Sequence, residues 1–170
     1  MNDFQKEVKD RIASNARDER LKSDAAAFMR SSIASQYSYN FSWLGRPIIQ
    51  YPQDMVAMQE LIWSIQPDLI IETGIAHGGS LIFSASMLEL NAACGGPQDA
   101  SVLGVDIDIR PHNRQAIEAH PLFRRIEMIE GSSVDPDVVA QVVRRASGKN
   151  RILVCLDSNH THAHVLAELQ

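Results

Sequence analysis

The apolar run Leu69-Ile70-Ile71 passes directly into Glu72-Thr73-Gly74-Ile75-Ala76-His77-Gly78-Gly79-Ser80, and this junction constrains the fold more than any other feature of the chain. A short run without a polar residue, bounded by turn formers, suits a strand buried on both faces, as in a parallel sheet. A helix-patterned segment follows at about 79–90, so the glycines occupy a strand-to-helix turn. The same alternation recurs along the chain. Pro52-Gln53-Asp54 opens a helix carrying Met55, Met58, Leu61, Ile62 and Ile65 on one face, and Pro67-Asp68 ends it. Residues 102–105 predict a second strand ending at Asp106, 111–119 a helix, and 126–129 a third strand. Asp135-Pro136 is an N-cap followed by proline at the first helical position, starting a helix to about 145. Residues 152–156 predict a fourth strand, and a further helix begins at Thr161. Short loops and right-handed crossovers then make this an α/β fold, a Rossmann-like parallel sheet with helices on both faces.

The first third is different. Residues 4–29 are charged, with Phe4, Val8, Ile12, Leu21, Ala25 and Phe28 at loose helical spacing. They predict one or two helices packed on the main domain or a partner subunit, or else a partly ordered leader. Residues 31–47 read as an irregular connection whose aromatics, Tyr37, Tyr39, Phe41 and Trp43, either cover the core or line a pocket. The expected division is 1–50, a helical segment and connection, and 51–170, the Rossmann-like domain.

Composition excludes several roles. With 170 residues, 45% of them hydrophobic, the chain can bury one sizeable core. A net charge of -5 with scattered basic residues argues against nucleic acid as a partner. The longest apolar runs are strand-sized and residues 1–20 hold no continuous apolar stretch, so neither a membrane span nor a signal peptide is expected. Cys94 and Cys155, in a glycine-rich turn and an apolar run, are expected to be reduced. A soluble, cytoplasmic homo-oligomer is the expectation.

In such sheets ligands bind at the carboxyl ends of the strands, so the first strand-to-helix turn is where a cofactor belongs. Gly74, Gly78 and Gly79 permit close backbone approach, and Ser80 with the first helical amides supplies donors. The pattern is neither G-x-G-x-x-G nor a phosphate loop, which disfavours a pyrophosphate. Glu72, two residues before the first glycine, suits a cationic ligand. S-adenosylmethionine, with its ammonium and sulfonium, fits best. Asp106, with Asp108 as a substitute, stands where dinucleotide folds hold ribose hydroxyls. His77 either contacts the ligand or packs the loop.

The second loaded stretch is Asp157-Ser158-Asn159-His160-Thr161-His162-Ala163-His164. On a helix His160 and His164 share a face, so Asp157, His160 and His164 are candidate ligands for a transition metal such as zinc or iron. The plainer alternative makes Asp157 or Asn159 a helix cap and His162 and His164 surface groups.

These residues carry a resemblance. Residues 67–80, with Gly45-Arg46-Pro47-Ile48-Ile49-Gln50-Tyr51-Pro52-Gln53-Asp54, Gly104-Val105-Asp106-Ile107-Asp108-Ile109-Arg110 and Leu156-Asp157-Ser158-Asn159-His160-Thr161-His162, resemble the cephalosporin hydroxylase family. That family is similar to the rhamnosyl O-methyltransferases and, more broadly, to metal-dependent methyltransferases of the catechol type. The resemblance implies that Glu72 and the turn hold the methionine end, that Asp106 and Ile107 meet the ribose and its surroundings, and that Gly131, Ser132 and Ser133 lie beside the adenine. It further implies that Asp157 binds Mg2+ and that His160 is the general base. The implied reaction is methyl transfer to a hydroxyl of a small natural product or sugar. Two other functions remain open, an NAD-linked or iron-dependent oxidoreductase and a non-enzymatic assembly module. The resemblance also implies a seven-stranded sheet in the order 3-2-1-4-5-7-6, of which four strands can be counted, so the chain is expected to be a truncated form.

Overall fold

The computed structural model describes residues 2–170 and divides into two compact units after Ser38. The first holds α1 (Asp3–Asn15) and α2 (Glu19–Ala34). Asn2 and Gln5 form a reciprocal capping box at the start of α1, and the Asp18 side chain accepts the Leu21 N–H at 3.0 Å to start α2. No residue of α1 and only Ser32 of α2 is buried, so Phe4, Ile12 and Ile33 stand exposed.

The second unit begins with a feature the sequence reading missed. Residues 41–48 are a hairpin, β1 (Phe41–Trp43) and β2 (Arg46–Ile48), where an irregular connection was expected. Leu44 and Gly45 both take positive φ, 45° and 86°, giving the two-residue turn whose twist matches antiparallel strands. Three-residue strands show no periodicity, Leu-Gly is a weak hairpin signal, and Pro47 counts against a strand; these facts hid it. The aromatics of this stretch separate by role. Trp43 packs edge-on against Phe83 at 5.0 Å and donates its indole N–H to Ser86 Oγ at 2.9 Å, and Phe41 also joins the core.

The predicted alternation then follows: α3 (Pro52–Ile65), β3 (Leu69–Thr73), α4 (Gly79–Ala93), β4 (Ser101–Asp106), α5 (Pro111–Glu118), β5 (Ile126–Glu130), α6 (Pro136–Ala146), β6 (Ile152–Leu156) and α7 (His162–Glu168). The four strands pair in parallel in the order β5-β4-β3-β6. Successive side chains of β3 face opposite layers. Ile70 enters a core with Ile62, Leu81, Leu88 and Ile117, whereas Leu69 and Ile71 join Leu103, Val105 and Val138 under α6. Every residue of β3 is buried, while β6 is partly exposed, Val154 by 53%.

The chain leaves β3 toward β4 and β5, then crosses back to β6 on the other side. The crevice between the diverging connections of β3 and β6 is therefore the expected ligand position. Register aligns the exits, with Thr73 opposite both Val105 and Leu156, and Asp106 opposite Glu130. Cys94 and Cys155 are free thiols. Among the described residues no helix is long and apolar enough to cross a membrane.

Ile70 is fully buried at the centre of the sheet, so Ile70→Ala should cost about 2–5 kcal/mol in urea unfolding. Val154→Ala, on a half-exposed side chain, should stay within about 0.5 kcal/mol. Equal losses at the two positions would contradict this layering.

Candidate functional site

The turn after β3 is locked by backbone contacts from three directions. Asp106, at the exit of β4, accepts the N–H of Ile75 at 2.7 Å and of Ala76 at 3.2 Å on Oδ2, and that of Asp108 at 3.1 Å on Oδ1. Gly74 N–H donates to the Val105 carbonyl at 2.8 Å. Asn113 of α5, itself buried, donates from Nδ2 to the Ala76 carbonyl at 2.9 Å. From the hairpin, Arg46 Nε donates to the His77 carbonyl at 3.0 Å, and Nη2 reaches Asn113 Oδ1 at 3.1 Å. These bonds hold Ala76 at φ 46°, a conformation unfavourable for a residue with a Cβ.

The glycines answer to the protein's own packing. A Cβ on Gly74 would lie 2.1 Å from the Asp157 carbonyl oxygen, and one on Gly79 2.1 Å from that of Pro47. On Gly78 it would meet the Ile117 side chain at 2.4 Å. The turn is thus pressed between β6, α5 and the hairpin, with no room for a side chain on those faces.

Around it lies a cavity of about 510 Å³. Gly74, Ile75, Ala76, His77, Gly79 and Ser80 form one wall, and Asp106 and Ile107 stand at the exit of β4. Gly131, Ser132 and Ser133 follow β5, and Asp157 to His160 follow β6. Tyr39, Ile49 and Gln50 close the hairpin side. Four strand exits and the hairpin therefore meet at one cavity, of a size ordinary for a cofactor. Of the residues singled out from sequence, Gly78 is turned away toward Ile117 and Glu72 lies behind Ser80.

Glu72 is 4% exposed, its carboxylate accepts the Ser80 hydroxyl proton, and it faces a second, more apolar cavity of about 320 Å³ between α3, α4 and β6. Burial raises its pKa from 4.5 to about 7, the Ser80 hydrogen bond opposing and the nearby Asp157 charge reinforcing the shift. The Asp157 carboxyl is also raised by burial, partly offset by His160, whose Nε2 lies 3.5 Å from its Oδ1. Cys155 is pushed up to about 12 by burial and by the charges of Glu72 and Asp157, which leaves it a thiol rather than a nucleophile.

His164 does not join Asp157 and His160. Its Nε2 instead lies 3.1 Å from Ser133 Oγ, 3.2 Å from Ser158 Oγ and 3.4 Å from Glu168 Oε1. Asp157, His160 and His164 therefore do not form the iron site considered from sequence, because one turn of α7 carries His164 to a different set of partners. Among the described residues no three His, Cys, Asp or Glu side chains converge as a metal-ligand set. Arg46, Asn113 and Glu168 were missed as site residues. Each acts across the chain on a backbone or hydroxyl group, which no local motif announces.

Sheet order, strand-exit cavity and glycine turn define a Rossmann-like α/β protein. Residues 35–170 match the model of the rhamnosyl O-methyltransferase/CmcI family, and the chain belongs to that family. It is 33% identical over 121 residues to a rhamnosyl O-methyltransferase of Mycobacterium bovis (strain BCG / Pasteur 1173P2), covering 69% of this chain and 44% of the relative. The Mycobacterium leprae (strain TN) enzyme of the same name is 32% identical, over 76% of this chain and 52% of its own. The chain thus spans about half the length of the curated relatives it matches. The solved structures described as cmcI-N160 SAH and cmcI-D160 Mg-SAM share the fold, each with a TM-score of 0.52. They are 17% and 19% identical, over 74% and 77% of this chain and 56% and 51% of theirs.

The Glu72 shift sets a pH dependence. Its folded pKa of about 7 lies above the ordinary 4.5, so the folded state holds a proton that the unfolded state releases between these values. Its contribution to stability therefore falls as pH rises through about 4.5–7 and is level above, a swing of about 3 kcal/mol. Glu72→Gln removes that swing. The variant should gain on the unaltered protein between pH 5 and pH 8 in urea unfolding; a constant gap across that range would show that Glu72 ionises normally.

Proposed function

We propose that the cavity binds S-adenosylmethionine and that the protein transfers its methyl group to a hydroxyl of a small molecule or sugar. The observation that carries this reading is the convergence of the locked turn, Asp106, the Gly131–Ser133 loop and the Asp157–His160 pair on one cavity. The names of the matched relatives support the same chemistry.

The donor set suits such a ligand. A carboxylate offers about four lone-pair sites, and Asp106 spends three on the amides of Ile75, Ala76 and Asp108. One remains for a ribose hydroxyl, and the amides already bound keep the carboxylate from turning. Ile107, 74% exposed at the cavity edge, offers an apolar surface to a base. Ser132 and Ser133 line the same side. Glu72 acts at one remove, orienting Ser80 from below.

S-adenosylmethionine supplies an electrophilic methyl on a sulfonium, which leaves as a thioether when an oxygen displaces it in line. The protein's part is to place that oxygen and take its proton. His160 lines the cavity, its side chain 74% exposed and its Nε2 3.5 Å from Asp157 Oδ1, where an imidazole can accept the proton of the acceptor hydroxyl. Asp157 would hold Mg2+ through a carboxylate oxygen, supplying Lewis acidity to the acceptor hydroxyl. It is one hard ligand, so water, acceptor or residues outside this set must complete the coordination.

Calorimetry with S-adenosylmethionine, S-adenosylhomocysteine and NAD tests the reading. The two adenosyl ligands should bind, and Asp106→Ala should weaken S-adenosylhomocysteine at least about tenfold through loss of the ribose contact and of the turn's anchor, about 1.4 kcal/mol. Binding of NAD alone would overturn the assignment.

A further inference from the structure

Glu168, near the end of α7, is 3% exposed in its side chain, yet it does not line the cavity. A buried carboxylate costs several kcal/mol unless its oxygens are satisfied. Hydrogen-bond donors come from two strand exits. Ser133, after β5, donates to Glu168 Oε1 at 2.6 Å, and Ser158, after β6, donates to the same oxygen at 2.9 Å. Oε2 is buried beside the Thr73 hydroxyl at the end of β3; this contact falls short of full hydrogen-bond geometry but still favours the ionised carboxylate. Burial works to raise the Glu168 pKa, and the hydrogen bonds from Ser133 and Ser158, with the nearby Thr73 hydroxyl and the His164 charge, more than offset it.

The direction of these bonds is fixed by proton count. Each serine hydroxyl has one proton and gives it to Glu168, so its lone pairs face His164 Nε2, which must carry the hydrogen there. One carboxylate thereby holds Ser133 beside Ser132, and Ser158 beside Asp157. Both held serines, and His164, line the cavity.

We propose that Glu168 is a positioning residue of the cofactor cavity, its carboxylate tying the exits of β5 and β6 into one binding-competent arrangement. This rests on the cofactor reading above. The glutamate contacts no ligand itself. It acts by removing the freedom of Ser133 and Ser158, so that binding does not have to order them.

The test uses Glu168→Gln, which keeps the volume and removes the charge, with Glu127→Gln as a control on an exposed carboxylate paired to Arg145 at 2.6 Å. Amide hydrogen exchange on the ligand-free protein should rise about tenfold or more at 131–133 and 157–159 in E168Q, with β3 and β4 unchanged. S-adenosylhomocysteine binding should weaken about tenfold in E168Q and not in E127Q. Adding Ser133→Ala to E168Q should cost less than the same change alone, because the partners share one network. Unchanged exchange at both loops, or a uniform rise through the core strands, overturns the proposal. So does full cofactor affinity in E168Q while the unaltered protein binds. Failure of the unaltered protein to bind S-adenosylhomocysteine instead overturns the cofactor reading, and with it the role Glu168 is given.

Discussion

The site depends first on the Asp106 carboxylate taking the Ile75 and Ala76 amides. Those N–H groups point away from any strand partner, because β3 has ended and α4 has not begun. A charged acceptor on the neighbouring strand exit satisfies both at once, and charge-assisted bonds of this kind are about twice as strong as neutral ones. The contact does more than satisfy donors. It holds Ala76 in a left-handed conformation and thereby turns the chain sharply enough for Gly79 to start α4 against the hairpin. Local strain at a ligand site, over-determined by its surroundings, is the expected design for a preformed wall.

The same turn explains why the hairpin belongs to the site although it lies outside the sheet. Arg46 reaches the His77 carbonyl, and Pro47 presents its carbonyl where any Cβ on Gly79 would have to sit. Trp43, pinned to Phe83 and Ser86 on α4, sets the height at which the hairpin rides. The cavity's hairpin wall, including Gln50, therefore inherits its position from core packing rather than from loop flexibility. A rigid wall costs little entropy when a ligand arrives.

This division of labour decides what was legible in the sequence. The alternating strands and helices could be read because each is long enough to show its period, and Asp135-Pro136 and Pro52 mark helix starts by local chemistry. The Gly74–Ser80 turn and Asp106 could be placed at strand exits for the same reason. What could not be read is contact between distant segments. Asn113 in α5, Arg46 in a three-residue strand and Glu168 on α7 carry no local signal of the groups they meet. Glu72 shows a further limit: its place before the glycines suggests a ligand contact, and its side chain lies under α4 with Ser80, facing the second cavity. A strand residue's face follows from alternation. Whether that face opens to a cavity or a helix depends on tertiary packing.

Two carboxylates beneath the cavity show how packing sets charge. Glu72 and Glu168 are both almost fully removed from water, yet their pKa values move in opposite directions. Glu72 has one hydroxyl donor and the Asp157 charge nearby, so desolvation prevails and the acid releases its proton only around neutral pH. Glu168 has two serine hydroxyl donors, the Thr73 hydroxyl nearby and an imidazole, so the ionised form prevails despite burial. Burial is deeper around Glu72 than around Glu168, and it adds to the difference that the number and sign of their neighbours make. Between them stands Asp157, bordering both cavities and sharing its strand exit with Ser158. Its charge reinforces the shift of Glu72 on one side, and its neighbour Ser158 donates to Glu168 on the other.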